Sequence, residues 1–190
     1  LLILDRWSLP ARGDHSEDGR GPVSYAQAVR AATPSVVNIY TAKLVSSNTP
    51  GVVRNPFAQN RTPRQRIERS LGSGVIVSPE GHILTNNHVI AEADAIQVML
   101  HDGRSSSAVV IGTDQATDLA VLKVDLPDLQ AIEIGNSDKV RVGDVVLAIG
   151  NPLGFGHSVT QGIVSALGRY GLQQSMYEDY IQTDATIHLG

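Results

Sequence analysis

The 190-residue chain contains no cysteine. A disulfide framework and any thiol chemistry are therefore excluded. The absence suits a reducing compartment, and equally a bacterial envelope protein that does without disulfides, so it does not locate the protein. Aromatic residues are scarce, at 4%, and no block of basic residues is interleaved with them. Lys and Arg total 15 against 19 Asp and Glu, a net charge of −4. Such a balance does not suit a phosphate backbone, and nucleic acid is not expected as a partner. A long apolar run at the start is missing too. Leu1-Leu2-Ile3-Leu4 is far short of the roughly 20 residues that cross a bilayer. It is followed by Asp5, Arg6 and Trp7, an order that reads as the exit of a membrane anchor with an aromatic at the interface. Finally, His15, His82, His101, His157 and His188 show no metal-ligand spacing such as H-E-x-x-H. No metal and no other cofactor is expected.

What is present suffices for one domain, or for two small ones sharing a core. Ser8 to Pro22 is Gly, Pro, Asp, Arg and Ser with few apolar residues, and residues 8–23 read as a linker. Ser24 with Gln27 predicts a capping box. Tyr25, Ala28, Val29 and Ala32 fall on one helical face, and Pro34 closes that helix. The rest reads as short strands. Val36–Thr41 comes first, and the polar stretch Ser46–Arg69 reads as a long mobile loop. Gly74–Val77 and His82–Thr85 flank the turn Pro79-Glu80-Gly81, and Ile96–Leu100 and Ser106–Ile111 flank Asp102-Gly103. Leu119–Val124, Val145–Ile149 and Val159–Leu167 follow. Strands and turns at this spacing predict an all-β barrel or sandwich.

Two segments carry candidate chemistry. Thr85-Asn86-Asn87-His88-Val89-Ile90 follows a strand, and Thr117-Asp118-Leu119-Ala120-Val121-Leu122 puts an acid at the head of another. Hydrolysis by a serine needs a base for the hydroxyl proton and a carboxylate to hold that base. His88 and Asp118 stand in the His, Asp, Ser order of chymotrypsin-like enzymes. Asp102 is accounted for by its turn with Gly103. Asp114 has no motif around it. Ser73, in Gly72-Ser73-Gly74, does not make a G-x-S-x-G elbow.

A set of blocks in fixed order makes the pairing specific. Leu71-Gly72-Ser73-Gly74-Val75-Ile76, Thr85-Asn86-Asn87-His88-Val89, Asp118-Leu119-Ala120-Val121-Leu122-Lys123, Gly150-Asn151-Pro152 and Val159-Thr160-Gln161-Gly162-Ile163-Val164-Ser165 resemble the HtrA/Deg serine proteases. The resemblance runs from about Ser24 to Gly190 and is nearest to the membrane-anchored DegS/AlgW branch. It implies an all-β, chymotrypsin-like double six-stranded barrel with a short N-terminal helix, over residues 24–190, the second barrel incomplete here. It implies His88 as general base and Asp118 as its carboxylate. Gly190 would open the Gly-Asn-Ser-Gly-Gly motif and supply an oxyanion-hole N–H, with the serine two residues further on. Arg169 falls in a regulatory loop and Tyr25 at a trimer contact. The resemblance further implies a PDZ domain beyond Gly190, activation by C-terminal peptides, an anchor in the inner membrane and a periplasmic protease that cleaves a transmembrane anti-sigma factor. The long Ser46–Arg69 stretch departs from that branch, which keeps a soluble DegP- or DegQ-like quality-control protease in view. A non-catalytic binding protein of the same fold is the alternative from another class.

Overall fold

In the computed structural model, residues 2–3, 24–46, 65–150, 158–170 and 179–187 are described. A two-residue strand, β1 (Leu2–Ile3), is followed by helix α1 (Ala26–Ala32) and a 3-10 turn at Thr33–Ser35. The helix starts one residue later than a capping box at Ser24 requires. Tyr25 takes the cap position, and Ser24 Oγ accepts the Ala26 N–H at 3.2 Å. Gln27 thereby becomes the second helical residue, and the spacing of a capping box is lost.

Seven strands form the larger sheet. They are β2 (Val36–Ser46), β3 (Gln65–Ile76), β4 (His82–Asn86), β5 (Ala95–Met99), β6 (Ser105–Ser107), β7 (Val109–Asp114) and β8 (Leu119–Lys123), in the order β6-β5-β2-β3-β4-β8-β7. β6 and β7 lie at opposite edges of this sheet, yet only Ala108 separates them. A one-residue link spans only a few ångströms. The sheet must therefore curl round until its edges meet. β6 and β7 behave as one strand bent at Ala108, and the closed sheet is a six-stranded barrel. Alternation along β4 and β8 sends Ile83 and Leu122 inward, where they join Val37, Ile39, Ile76 and Val98.

Two local readings change. Ser106–Ile111 is two strands because of the bend at Ala108, whose N–H still donates to the Ile96 carbonyl at 3.0 Å as the last rung of the β5–β6 ladder before the chain passes to β8. Residues Gln65–Arg69, expected in a loop, extend β3 against β2, from Ala42↔Arg69 to Ser46↔Gln65. This ribbon stands clear of the barrel core, and residues 66–70 are exposed. Polar side chains are compatible with it because the ladder hydrogen bonds, not an inward face, hold the pairing. Its root is pinned where the Leu44 N–H donates to Asp94 at 2.7 Å and Lys43 pairs with Glu92. Residues 47–64 of the expected loop, and the expected linker at 8–23, lie outside the described residues.

A second sheet of β9 (Val145–Gly150), β10 (Ser158–Arg169) and β11 (Tyr180–Thr183) has β1 along its free edge, in the order β1-β9-β10-β11. Leu2 and Ile3, read from sequence as part of an anchor's end, pair here with Ile149 and Ala148. Among the described residues no helix is long and apolar enough to cross a membrane. Between the sheets sits a small core of Ala32, Val36, Ile132, Leu147 and Ile149. The apolar face of α1 packs on it through Tyr25, Ala28 and Val29. The helix thus joins the barrel to the second sheet.

Candidate active site

Strand pairing brings the two halves of the candidate dyad together. β4 and β8 are antiparallel neighbours, with Thr85 opposite Ala120 and Asn86 opposite Leu119. The end of β4 therefore lies beside the start of β8. β4 runs directly into a single helical turn, α2 (Asn87–Ile90), which carries His88, while Asp118 immediately precedes β8. His88 Nδ1 stands 2.6 Å from Asp118 Oδ2, and the His88 backbone N–H donates to Asp118 Oδ1 at 2.8 Å. The Asn87 N–H donates to the Asp118 carbonyl at 3.0 Å. Asp118 adopts a left-handed backbone, φ 55°, which an Asp tolerates better than most side chains. With Nδ1–H given to Asp118, the lone pair of the neutral ring rests on Nε2.

Asn86 completes the arrangement, and reading the sequence for acids and bases passed over it. Its Nδ2 lies 3.1 Å from the Asp118 carbonyl and 3.3 Å from Asp118 Oδ2. Both neighbours are acceptors, which fixes the amide NH2 on that side. Burial pushes the Asp118 carboxyl up, but the hydrogen bonds from the His88 ring and backbone, the His88 charge and the Asn86 amide outweigh it. The net effect is a pKa below the ordinary value of 3.8. The carboxylate is held ionised beside the imidazole, the condition for stabilising an imidazolium.

The dyad opens on a cavity of about 460 Å³ between the barrel and the second sheet. His88 borders it with Gly72, Val89, Leu119, Ile149 and Thr160, and with Thr186 and Ile187 beyond β11. Gly72 is required for this wall, since a Cβ there would lie 2.4 Å from a Val89 methyl.

The other sequence candidates separate. Asp102 is used up by its own turn, accepting the Arg104 N–H at 3.0 Å and its Nε at 2.7 Å. Asp114 caps a turn through the Ala116 N–H at 2.9 Å. Ser73 sits within β3, and its carbonyl accepts the Thr85 hydroxyl at 2.8 Å. Arg169, the last residue of β10, donates from Nε to Gln182 Oε1 at 2.9 Å and so ties β10 to β11. The Tyr25 hydroxyl accepts from Gln161 Nε2 at 3.3 Å and takes no part in the dyad's own hydrogen bonds. Gly190 lies outside the described residues.

A closed antiparallel barrel carrying a His–Asp pair at its rim, beside a second antiparallel sheet, defines the chymotrypsin-like class of fold. The family model for a trypsin-like peptidase domain matches residues 72–190, and the chain belongs to that family. Its relatives there are HtrA-type serine proteases. It is 48% identical over 185 residues to a probable periplasmic serine endoprotease, DegP-like, of Pseudomonas fulva (strain 12-X), covering 85% of this chain and 38% of that one. It is 45% identical over 171 residues to serine endoprotease DegS of Salmonella typhimurium (strain 14028s / SGSC 2262), covering 89% and 44%. Among solved structures, the HtrA-type protease AlgW with decapeptide superposes with a TM-score of 0.73 at 52% identity, covering 87% of this chain and 52% of that one. The chain thus spans between 38% and 52% of the length of these proteins.

Proposed function

We propose that this chain is the protease portion of a regulated periplasmic serine endopeptidase, with His88 as general base and Asp118 as its orienting carboxylate. The observation that carries the reading is the 2.6 Å contact of His88 Nδ1 with Asp118 Oδ2 beside a cavity of about 460 Å³ that His88 borders. On the resemblance, the nucleophile is a serine two residues beyond Gly190. His88 Nε2 takes the proton from its hydroxyl as the oxygen attacks the scissile carbonyl. The imidazolium then gives that proton to the leaving amine, leaving an acyl-enzyme that water hydrolyses by the same route. Asp118 balances the imidazolium charge throughout. The Gly190 N–H is the expected donor to the oxyanion, a contribution of about 3–4 kcal/mol per donor.

The periplasm as location rests on the names of the relatives. The finer reading follows the DegS and AlgW likeness: an N-terminal inner-membrane anchor, a PDZ domain after Gly190 that takes activating C-terminal peptides, a trimer in which Tyr25 makes contacts, and a transmembrane anti-sigma factor as substrate. Arg169 belongs to the regulatory loop in this reading. The 48% identity to a DegP-like endoprotease supports a second one, general degradation of unfolded envelope proteins.

The test uses the full-length protein on an unfolded peptide. His88→Ala is expected to lower kcat/KM by about 10⁴-fold or more while leaving the circular dichroism spectrum unchanged. Turnover equal to wild type rejects the triad. Offering a membrane-embedded anti-sigma factor and an unfolded soluble protein, each with and without an activating peptide, separates the two readings by which substrate is cut.

A further inference from the structure

β11 leaves the second sheet at an unusual junction. Val164 of β10 pairs with Thr183, the last residue of β11. On its other side β10 keeps to β9, with Ile163 opposite Val145. The next ladder position on the β11 side would give the Ile163 N–H a backbone carbonyl. A carboxylate takes its place: Asp184 Oδ1 accepts the Ile163 N–H at 2.7 Å. The chain beyond Asp184 is then free to turn away from the sheet while the hydrogen bond is still made.

Two neighbours on β10 confine that turn. A Cβ on Gly162 would lie 2.3 Å from the Ala185 N and 2.5 Å from Asp184 Oδ1, so the segment crosses β10 in contact with its backbone. The Thr160 hydroxyl donates to the Thr186 carbonyl at 2.6 Å. The Ala185 N–H is in turn bonded to Thr183 Oγ1 at 3.0 Å, and Ala185 is buried. Residues 184–186 are therefore held one by one. Thr186 and Ile187 emerge as wall of the same cavity that His88 borders. From Ile187 only three residues lead to Gly190, a reach of at most about 10 Å. Where Ile187 is held thus limits where the Gly190 N–H can be presented.

We infer that Asp184 is a positioning residue for the oxyanion-hole segment, acting through its bond to the Ile163 N–H with Gly162 and Thr160 as the seat. The inference rests on the endopeptidase reading above. It assigns no chemical step to Asp184. The side chain replaces a missing strand partner and so aims the loop that carries the donor.

The test compares Asp184→Ala, Asp184→Asn, Gly162→Ala and Thr160→Val in the full-length protein, with His88→Ala as reference. It reads kcat, KM, the rate of inactivation by a fluorophosphonate and the unfolding temperature. Asp184→Ala should lower kcat by about 30-fold or more with KM changed by less than about threefold, because loss of an oxyanion donor acts on the transition state. Fluorophosphonate inactivation should slow in parallel. Asp184→Asn keeps an acceptor oxygen and should recover most of the activity. Gly162→Ala should reproduce the Ala variant. Thr160→Val, which keeps the side-chain volume and loses only the outer anchor, should show the same kcat-selective loss in milder form. The inference is overturned by an Asp184→Ala enzyme as active as wild type, by an Asn variant as damaged as the Ala variant, or by losses in KM and unfolding temperature in all four without the kcat selectivity. If His88→Ala also stays active, the endopeptidase reading itself fails. If only His88→Ala is inactive, the reading stands and Asp184 is structural.

Discussion

Asn86 has two oxygens of one residue in front of its amide, the carbonyl and the carboxylate of Asp118. Removing that amide leaves the carboxylate its two His88 donors but withdraws the brace that fixes its rotation. Asn86→Ala should therefore lower kcat about 10-fold with KM nearly constant, the signature of a misaligned base rather than a lost binding contact. A rise in KM with unchanged kcat would place Asn86 in substrate binding instead. The depressed pKa of Asp118 carries a second consequence. A carboxyl whose folded value lies below its unfolded value contributes stability that is fully present above about pH 4. That contribution is lost as pH falls through the folded value. The unfolding-temperature difference between wild type and Asp118→Asn should thus shrink as pH falls from about 5 towards 2. A difference that grows on acidification contradicts the assigned direction.

Among the elements, the β3–β4 hairpin sets the register that delivers His88. Its turn depends on Gly81, at φ 97°, where a Cβ would also lie 2.3 Å from the Val124 carbonyl. That carbonyl belongs to a backbone already bonded to the turn, with the Val124 N–H donating to the Gly81 carbonyl at 3.0 Å. Gly103 has a similar backbone, φ 87°, but nothing within 4 Å of its would-be Cβ. Gly81→Ala should cost about 2–4 kcal/mol, strain and collision together, and Gly103→Ala about 1 kcal/mol from conformation alone. Urea denaturation of both variants measures the gap. Equal costs would mean that Val124 moves aside freely.

At the scale of the whole molecule, the barrel and the second sheet share, among the described residues, a small core that α1 covers. Tyr25 is half-buried on the shared core of Val36 from the barrel and Leu147 and Ile149 from the second sheet, and its hydroxyl reaches Gln161 on β10. Tyr25→Ala should lower stability by about 2 kcal/mol, or about 4–8 °C in unfolding temperature, in the isolated chain as well as in an assembly. Sedimentation of the same variant checks the proposed trimer contact. Loss of three-copy assembly with an unshifted unfolding temperature would show that the Tyr25 ring serves neighbours rather than its own chain.

The sequence alone determined much of what depends on near neighbours or on ordered blocks, though not the start of α1, where the Ser24–Gln27 capping box does not form. The all-β class followed from short apolar runs between turn residues. The buried face of α1 followed from the spacing of Tyr25, Ala28, Val29 and Ala32, since a helix repeats every 3.6 residues. His88 and Asp118 were marked out by the blocks around them, because a dyad at a strand end needs particular residues beside it. Tertiary structure decided what depends on which strands pair. Gln65–Arg69 is polar and exposed, so only its ladder with β2 makes it a strand. The bend at Ala108 exists because the barrel must close. Asn86 meets Asp118 only through the β4–β8 register, 32 residues apart, and Asp184 meets Ile163 only at the departure of β11, 21 residues apart. A side chain's chemical type can be read one residue at a time, but a hydrogen bond across the fold belongs to two segments at once. Its partner is chosen by register, which a periodicity within either segment does not contain.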